Sequence, residues 1–373
     1  MAYYSAAGWL SGDGAISVYF THRCMDGGRS DNENRSMSAM RIKPSEAEAI
    51  VSQFFGQVPD RVDWPGGRSR KTFVVTFDDK SYVVSKRNSE GRAKLEARIL
   101  QQLGLGGFTP VLLAQSGRWV AQSFIPGVRL SEKLTIPSEA VDIARHAASS
   151  LACMQIAACQ AQLDTIVPEI GSRHGWVSEF LDVPSKMAEQ HKWSLPDFDR
   201  AAIAAILSAP DKTFVKWDAR PGNSVVKTGS TKPVWIDWEH AGRRVCADDL
   251  CWLICDEWFP SDLNVEEAAI AEFVRVYQND FTFDFERYLR VFGVFHMFVR
   301  LSLILEQVQA RGWQKRSDLL ALDHIGSCPG LLRDLCNRGV RWADSLEETR
   351  PLAEIFENAG KLADRSDWQP ELT

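Results

Sequence analysis

The chain has 373 residues, 45% hydrophobic and 25% charged, with a formal net charge of −6. That length exceeds one compact core and suits two lobes sharing a cleft. The acidic balance argues against a nucleic-acid partner, because phosphate binding usually needs a basic surface.

Eight cysteines are present and none forms a CxxC pair. Cys246, Cys251 and Cys255 cluster, but they read as buried thiols in a reducing, cytoplasmic setting rather than as metal ligands. Gly8, Gly12, Asp13 and Gly14 interrupt any N-terminal apolar run, so no secretory signal is expected. The stretch 291–305 contains His296 and Arg300 and is too short to span a bilayer; it reads as a buried helix, and no membrane partner is expected.

Residues 1–40 read as a disordered N-terminal arm, since 25–36 has almost no apolar content. A helix from about residue 41 puts Ala49, Ile50 and Phe54 on one face. Two β-prone runs, 73–77 and 82–84, flank the turn Asp78-Asp79-Lys80. A helix over 90–103 follows, with Ser89 as its N-cap. Two further strands, 111–114 and 118–124, meet at Gln115-Ser116-Gly117. Residues 41–125 therefore form a small β-rich N-lobe, ending at Ile125-Pro126-Gly127.

From 126 to 373 the pattern is helical. Ala140, Ala144, Ala147, Leu151 and Met154 mark one long amphipathic helix. Further helices are predicted over 174–191, 197–208, 246–258, 265–278, 285–311 and 344–362. One hairpin, 224–226 with 234–236, interrupts them. The expected fold class is α+β, with a small β-rich N-lobe and a large helical C-lobe.

The chemistry concentrates around that hairpin. Phosphoryl transfer needs a carboxylate beside the attacking hydroxyl and oxygen ligands for the Mg²⁺ that holds the nucleotide phosphates. Asp218 would orient and deprotonate the acceptor hydroxyl, while Asn223 and Asp237 would bind the metal. Loop residues of these types are common, and it is their spacing around a hairpin that singles them out.

Asp218-x4-Asn223, then Ile236-Asp237-Trp238-Glu239, then Asp249-Leu250, resembles the aminoglycoside phosphotransferase and choline kinase superfamily. The resemblance covers roughly residues 45–310. It implies a protein-kinase-like fold, ATP or GTP as donor, Mg²⁺, and a small-molecule acceptor. The family's His-Gly before the catalytic aspartate is replaced here by Lys216-Trp217, so other contacts must hold the loop. By the same analogy Asp249 would tie the catalytic loop to the helix near Cys246. Arg220 would meet either a phosphate or a carboxylate. Glu239 would cap a turn or contact a second metal.

In the N-lobe, strand period places Val84 and Lys86 on one face. Val84 would cover the adenine and Lys86 would reach the phosphates. Glu96 falls on the apolar stripe of its helix and needs a cation, for which Lys86 is the expected partner. Gly66, Gly67 and Ser69 resemble the family's nucleotide-covering loop. Gln122 and Phe124 lie where the hinge would offer backbone bonds to adenine.

The acceptor is poorly specified. Asp256, Glu257 and Trp258, with thirteen tryptophans in the chain, would suit a cationic amine, whether aminoglycoside or choline. The simpler reading is structural, with Leu250, Leu253, Ile254 and Trp258 forming a helical core stripe. A choline or ethanolamine kinase and a nucleotide-binding pseudokinase are the competing readings.

Overall fold

Proline opens the first helix, α1 (Pro44–Phe55), where its missing N–H costs nothing, and Gly56 ends it in the left-handed region at φ 67°. The structure is a computed structural model that describes residues 42–65, 71–172, 175–208 and 210–364. The expectations for the arm 1–40 and for Gly66, Gly67 and Ser69 lie outside these residues.

After α1 come β1 (Arg61–Asp63), β2 (Thr72–Phe77), β3 (Lys80–Lys86), helix α2 (Glu90–Leu103), β4 (Leu112–Ser116) and β5 (Trp119–Ser123). The strands form one antiparallel sheet in the order β1-β2-β3-β5-β4. Alternation divides its side chains between two helices. Phe73, Val75, Phe77, Val84 and Ala121 pack with Ile50 and Val51 of α1. Val120 instead joins Ala93, Ile99 and Leu100 of α2. Cross-strand register pairs Ser85 with Val120 and Val83 with Gln122, so these four share the α2 side. Ser89 caps α2 as expected, its hydroxyl accepting the Arg92 N–H at 3.3 Å.

The remaining elements are β6 (Gly127–Arg129), α3 (Leu130–Lys133), α4 (Ala140–Gln160), α5 (Trp176–Leu181), α6 (Val183–His191) and α7 (Arg200–Ser208). Then follow β7 (Thr213–Val215), β8 (Ser224–Lys227), β9 (Pro233–Trp235), β10 (Gly242–Arg244), α8 (Cys246–Ile254) and α9 (Leu263–Val276). The chain closes with α10 (Phe285–Arg311), α11 (Arg316–Leu322), α12 (Pro329–Asp344) and α13 (Ala353–Gly360). Strands β6-β8-β9 make a small sheet, and β7 pairs with β10.

The helix predicted over 174–191 is two helices, because Pro184 starts α6 in its first turn. The helix predicted over 344–362 is shorter, and α12 before it was not anticipated. The α12 stripe of Leu331, Leu335 and Trp342 is buried, but charged residues between them obscure the period. Helix α10 has the length and apolarity to cross a membrane, yet 83% of its apolar window is buried within the fold. It packs among α6, α7, α8 and α12 as a core helix. Cys246, Cys251 and Cys255 are buried free thiols, as expected.

Candidate active site

The segment between β7 and β8 adopts a conformation that local propensity disfavours. Trp217 and Asp218 have φ of 54° and 56°, and Asp237 after β9 has 61°. Non-glycine residues hold the left-handed region only where their surroundings over-determine it. Asp249, in the first turn of α8, supplies one such constraint. Its carboxylate accepts the backbone N–H groups of Lys216 at 2.7 Å and Trp217 at 2.8 Å, and the Gln155 amide at 2.8 Å. Burial pushes the Asp249 pKa up to about 6, against the pull of these donors.

Lys216 supplies the second constraint. Its side chain is fully buried, and Nζ donates to the backbone carbonyls of Asp218 and Asp237, each at 3.2 Å. Burial lowers its pKa, with the neighbouring Asp218 opposing. The Trp217 ring packs edge-on against Trp252 with centroids 5.5 Å apart. The two residues that depart from the family pattern are therefore the ones that brace the loop.

Asp218 itself is 2% exposed. The Asn223 amide nitrogen donates to its Oδ2 at 2.7 Å and to its carbonyl at 3.0 Å. Its Oδ1 lies 3.5 Å from Arg220 Nε and accepts no hydrogen bond. Ile236 N–H donates to the Asn223 carbonyl at 3.0 Å, which sets Asp237 beside the loop. Asp218, Asn223 and Asp237 thus converge.

The cation above them differs from the sequence reading. Lys86 and Val84 point to the α1 side of the sheet: Lys86 pairs with Glu46 and lies over Trp119, and Val84 is core. Arg87, one residue on, faces the cleft. Its Nε and Nη2 bind the two oxygens of Glu96, and its Nη1 lies 2.9 Å from Asp237 Oδ1 and 3.4 Å from Glu239 Oε1. Glu96 does have its cation, but the cation is Arg87. A one-residue slip in strand phase exchanges the two faces, and Lys86-Arg87 offered a basic side chain to each. Val83, not Val84, shares the α2 side with Gln122, whose Oε1 is buried without a hydrogen-bond partner. Phe124 is 43% exposed just beyond β5, and its N–H reaches Ser81 O at 3.4 Å.

Glu239 belongs to this cluster more firmly than its turn-capping alternative suggested. Burial raises its pKa, and Oε2 has no hydrogen-bond partner. Burial likewise disfavours the charged form of Asp237, but Arg87 together with His240, Lys216 and Arg220 outweighs it and holds the group below the usual carboxylate range. His240 contacts Arg92 Nη1 at 3.2 Å, and burial lowers its pKa to about 4.

Among the described residues no three His, Cys, Asp or Glu side chains are grouped to hold a metal by themselves. The oxygen set nonetheless fits Mg²⁺, which takes few protein ligands and completes its shell with water and phosphate. Both hydrogen bonds given for the Asn223 side chain use its nitrogen, leaving its oxygen as a donor to metal. Asp237 Oδ1 and Glu239 Oε1 both approach Arg87 Nη1, and Glu239 Oε2 has no hydrogen-bond partner.

Asp256, Glu257 and Trp258 are 0%, 1% and 3% exposed. Glu257 is bound bidentately by Arg300 at 2.7 and 2.8 Å, and Trp258 Nε1 donates to His324 O at 3.0 Å. Leu250, Leu253 and Ile254 are core residues of α8 as the stripe reading has it, but the helix ends at Ile254 and Trp258 is buried beyond it in a separate cluster.

A profile of the phosphotransferase enzyme family matches residues 63–289, more than half of the chain. The chain belongs to the phosphotransferase enzyme family. A Ralstonia eutropha protein provisionally described as an aminoglycoside phosphotransferase superposes with a TM-score of 0.52 at 18% identity, over 86% of this phosphotransferase and 99% of its own chain. AMP-bound spectinomycin phosphotransferase gives 0.49 at 11% identity, with 85% and 98% coverage. Choline kinase from Streptococcus pneumoniae gives 0.44 at 12%, with 78% and 98%. The first of these likenesses establishes the kinase-like fold. No protein of curated function matches the sequence.

Proposed function

We propose that this phosphotransferase moves the γ-phosphoryl group of ATP or GTP to a hydroxyl of a small molecule. The observation that carries the reading is the convergence of Asp218, Asn223 and Asp237 beneath the guanidinium of Arg87. AMP and spectinomycin in the relative's name favour a nucleotide donor and a small acceptor.

In this reading the acceptor hydroxyl hydrogen-bonds to Asp218 Oδ1, the oxygen without a partner. Its oxygen attacks the γ-phosphorus, the bond to the β-phosphate oxygen breaks, and the hydroxyl proton passes to Asp218. Asn223 orients Asp218 through Oδ2. Arg87 meets the nucleotide phosphates through Nη1, being anchored by Glu96 on its other nitrogens. Val83 and Gln122 line the adenine side. Asp237, Glu239 and the Asn223 amide oxygen would hold Mg²⁺, which would neutralise charge on the β- and γ-phosphates.

The test is a coupled assay of Mg-ATP and Mg-GTP against aminoglycosides, choline, ethanolamine, sugars and hydroxy acids. Acceptor-dependent turnover lost in Asp218→Asn is expected; equal rates in the two proteins would overturn the assignment. One observation favours a second reading, a nucleotide-binding regulator: Arg87 already occupies an oxygen of Asp237. Tight nucleotide binding with no transfer to any acceptor would select it.

A further inference from the structure

One carboxylate stands where an acceptor must approach. Asp323 directly follows α11, has φ of 51°, and its side chain is 8% exposed. Arg220 grips it with two parallel bonds, Nη1 to Oδ1 at 2.9 Å and Nη2 to Oδ2 at 2.7 Å. A second guanidinium, that of Arg129, points Nη1 at Oδ2 from 3.9 Å and makes no hydrogen bond there although the atom is buried. The backbone of Gly222 forms the floor: a Cβ at that position would lie 1.9 Å from Asp323 Oδ1. Any other residue at 222 would have to evict the carboxylate.

This seat adjoins the reacting centre. The Nε of the same Arg220 lies 3.5 Å from Asp218 Oδ1, and both atoms lack hydrogen-bond partners. Two guanidinium groups beside Asp218, that of Arg220 only 14% exposed, suit an anionic visitor and repel an ammonium. Nor are the nearby Asp256 and Glu257 available to an ammonium, since both are buried and Glu257 is spent on Arg300.

We propose that Arg220, Arg129 and Gly222 form the seat for the carboxylate of a hydroxycarboxylic acid acceptor, and that Asp323 fills it until the acceptor arrives. The inference rests on the phosphotransfer reading of Asp218. A planar fork with two parallel donors matches a carboxylate in both spacing and charge. A carboxylate in the seat leaves the rest of a small hydroxy acid next to Asp218 Oδ1. The exchange sacrifices little packing, because α11 is held to the fold by a small satellite cluster, Leu319 with Trp258, Cys328 and Leu331.

The test compares gluconate and glycerate with their neutral counterparts glucitol and glycerol, and with choline and kanamycin, as acceptors for Mg-ATP. Asp323→Asn keeps the shape of the side chain and removes the competing charge. It is expected to lower KM for the two carboxylates about tenfold relative to the neutral compounds. Arg220→Gln is expected to raise KM for the carboxylates by at least as much. Transfer to choline or kanamycin in preference to the acids would overturn the seat and leave the phosphotransferase standing. So would carboxylate KM values that Asp323→Asn leaves untouched.

Calorimetric titration of the Asp218→Asn protein with gluconate and glycerate separates the two claims. Binding that tightens in the Asp218→Asn, Asp323→Asn double variant, with no turnover of any acceptor by the wild type, would support the seat and sink the transfer chemistry. Absence of carboxylate binding would sink the seat alone. Circular dichroism of each variant identifies any that fail to fold.

Discussion

Arg87 and Asp237, 150 residues apart in the chain, meet at 2.9 Å. The pair joins the end of β3 to the segment after β9, and the remaining nitrogens of Arg87 are committed to Glu96. The cation of this cleft is thus always charged and oriented by a bidentate carboxylate, where a lysine would present a movable point charge.

Arg87→Ala therefore has two expected effects. It strands Glu96 as a buried charge, costing about 3 kcal/mol of stability, and it abolishes nucleotide turnover. Lys86→Ala removes only a part-exposed pair with Glu46 and should cost less than about 1 kcal/mol. Denaturant midpoints and steady-state rates on the two variants check this. Equal losses would return Lys86 to the site.

Asp218→Asn keeps the shape of the loop and removes the proton acceptor, so kcat should fall about 10²- to 10⁴-fold with nucleotide affinity little changed. Asp237→Ala should abolish turnover and erase the effect of Mg²⁺ on nucleotide binding. Calorimetry with and without Mg²⁺ distinguishes the two outcomes.

Asp249→Asn leaves one oxygen to serve the backbone N–H groups of both Lys216 and Trp217. A buried donor then goes unsatisfied, at a cost of about 1–3 kcal/mol. Since those donors hold the left-handed backbone at 217 and 218, turnover should fall more than stability does. Comparing kcat with the midpoint of urea unfolding tests the split.

His296 is fully buried on α10, and neither ring nitrogen has a hydrogen-bond partner. Burial, reinforced by Arg300, lowers its pKa to about 3. The unfolded chain therefore takes up a proton near the ordinary value of 6.5 while the folded chain resists until about 3. Stability contributed by this group is complete above 6.5 and declines as pH falls through that window, by up to about 1.4 kcal/mol per pH unit. His296→Leu should flatten the acid limb of the stability curve, and urea midpoints at a series of pH values between the two pKa values measure it. An unchanged slope would assign the limb to other groups.

The convergence of Asp218, Asn223 and Asp237 was legible because its signal is local. Asp218 and Asn223 lie in one loop, and Asp237 follows a hairpin strand by two residues. The kinase-like fold followed from the same stretch with the order of strands and helices. Arg87 was hidden by an ambiguity of phase, since adjacent basic residues occupy opposite faces of β3. A clue was present: Phe73, Phe77, Tyr82 and Val84 make the more apolar face, which belongs against α1 and carries Lys86 with it. Asp323 left no such trace. It meets Arg220 across 103 positions, and no periodicity or spacing links a loop after α11 to a turn before β8.

Lys216 couples the carbonyls of Asp218 and Asp237 through a single buried ammonium. The loops that carry Asp218 and Asp237 are consequently riveted together at their backbones. In the proposed reaction, an opening of the crevice would spare that rivet and part instead at the contact between Arg87 and Asp237.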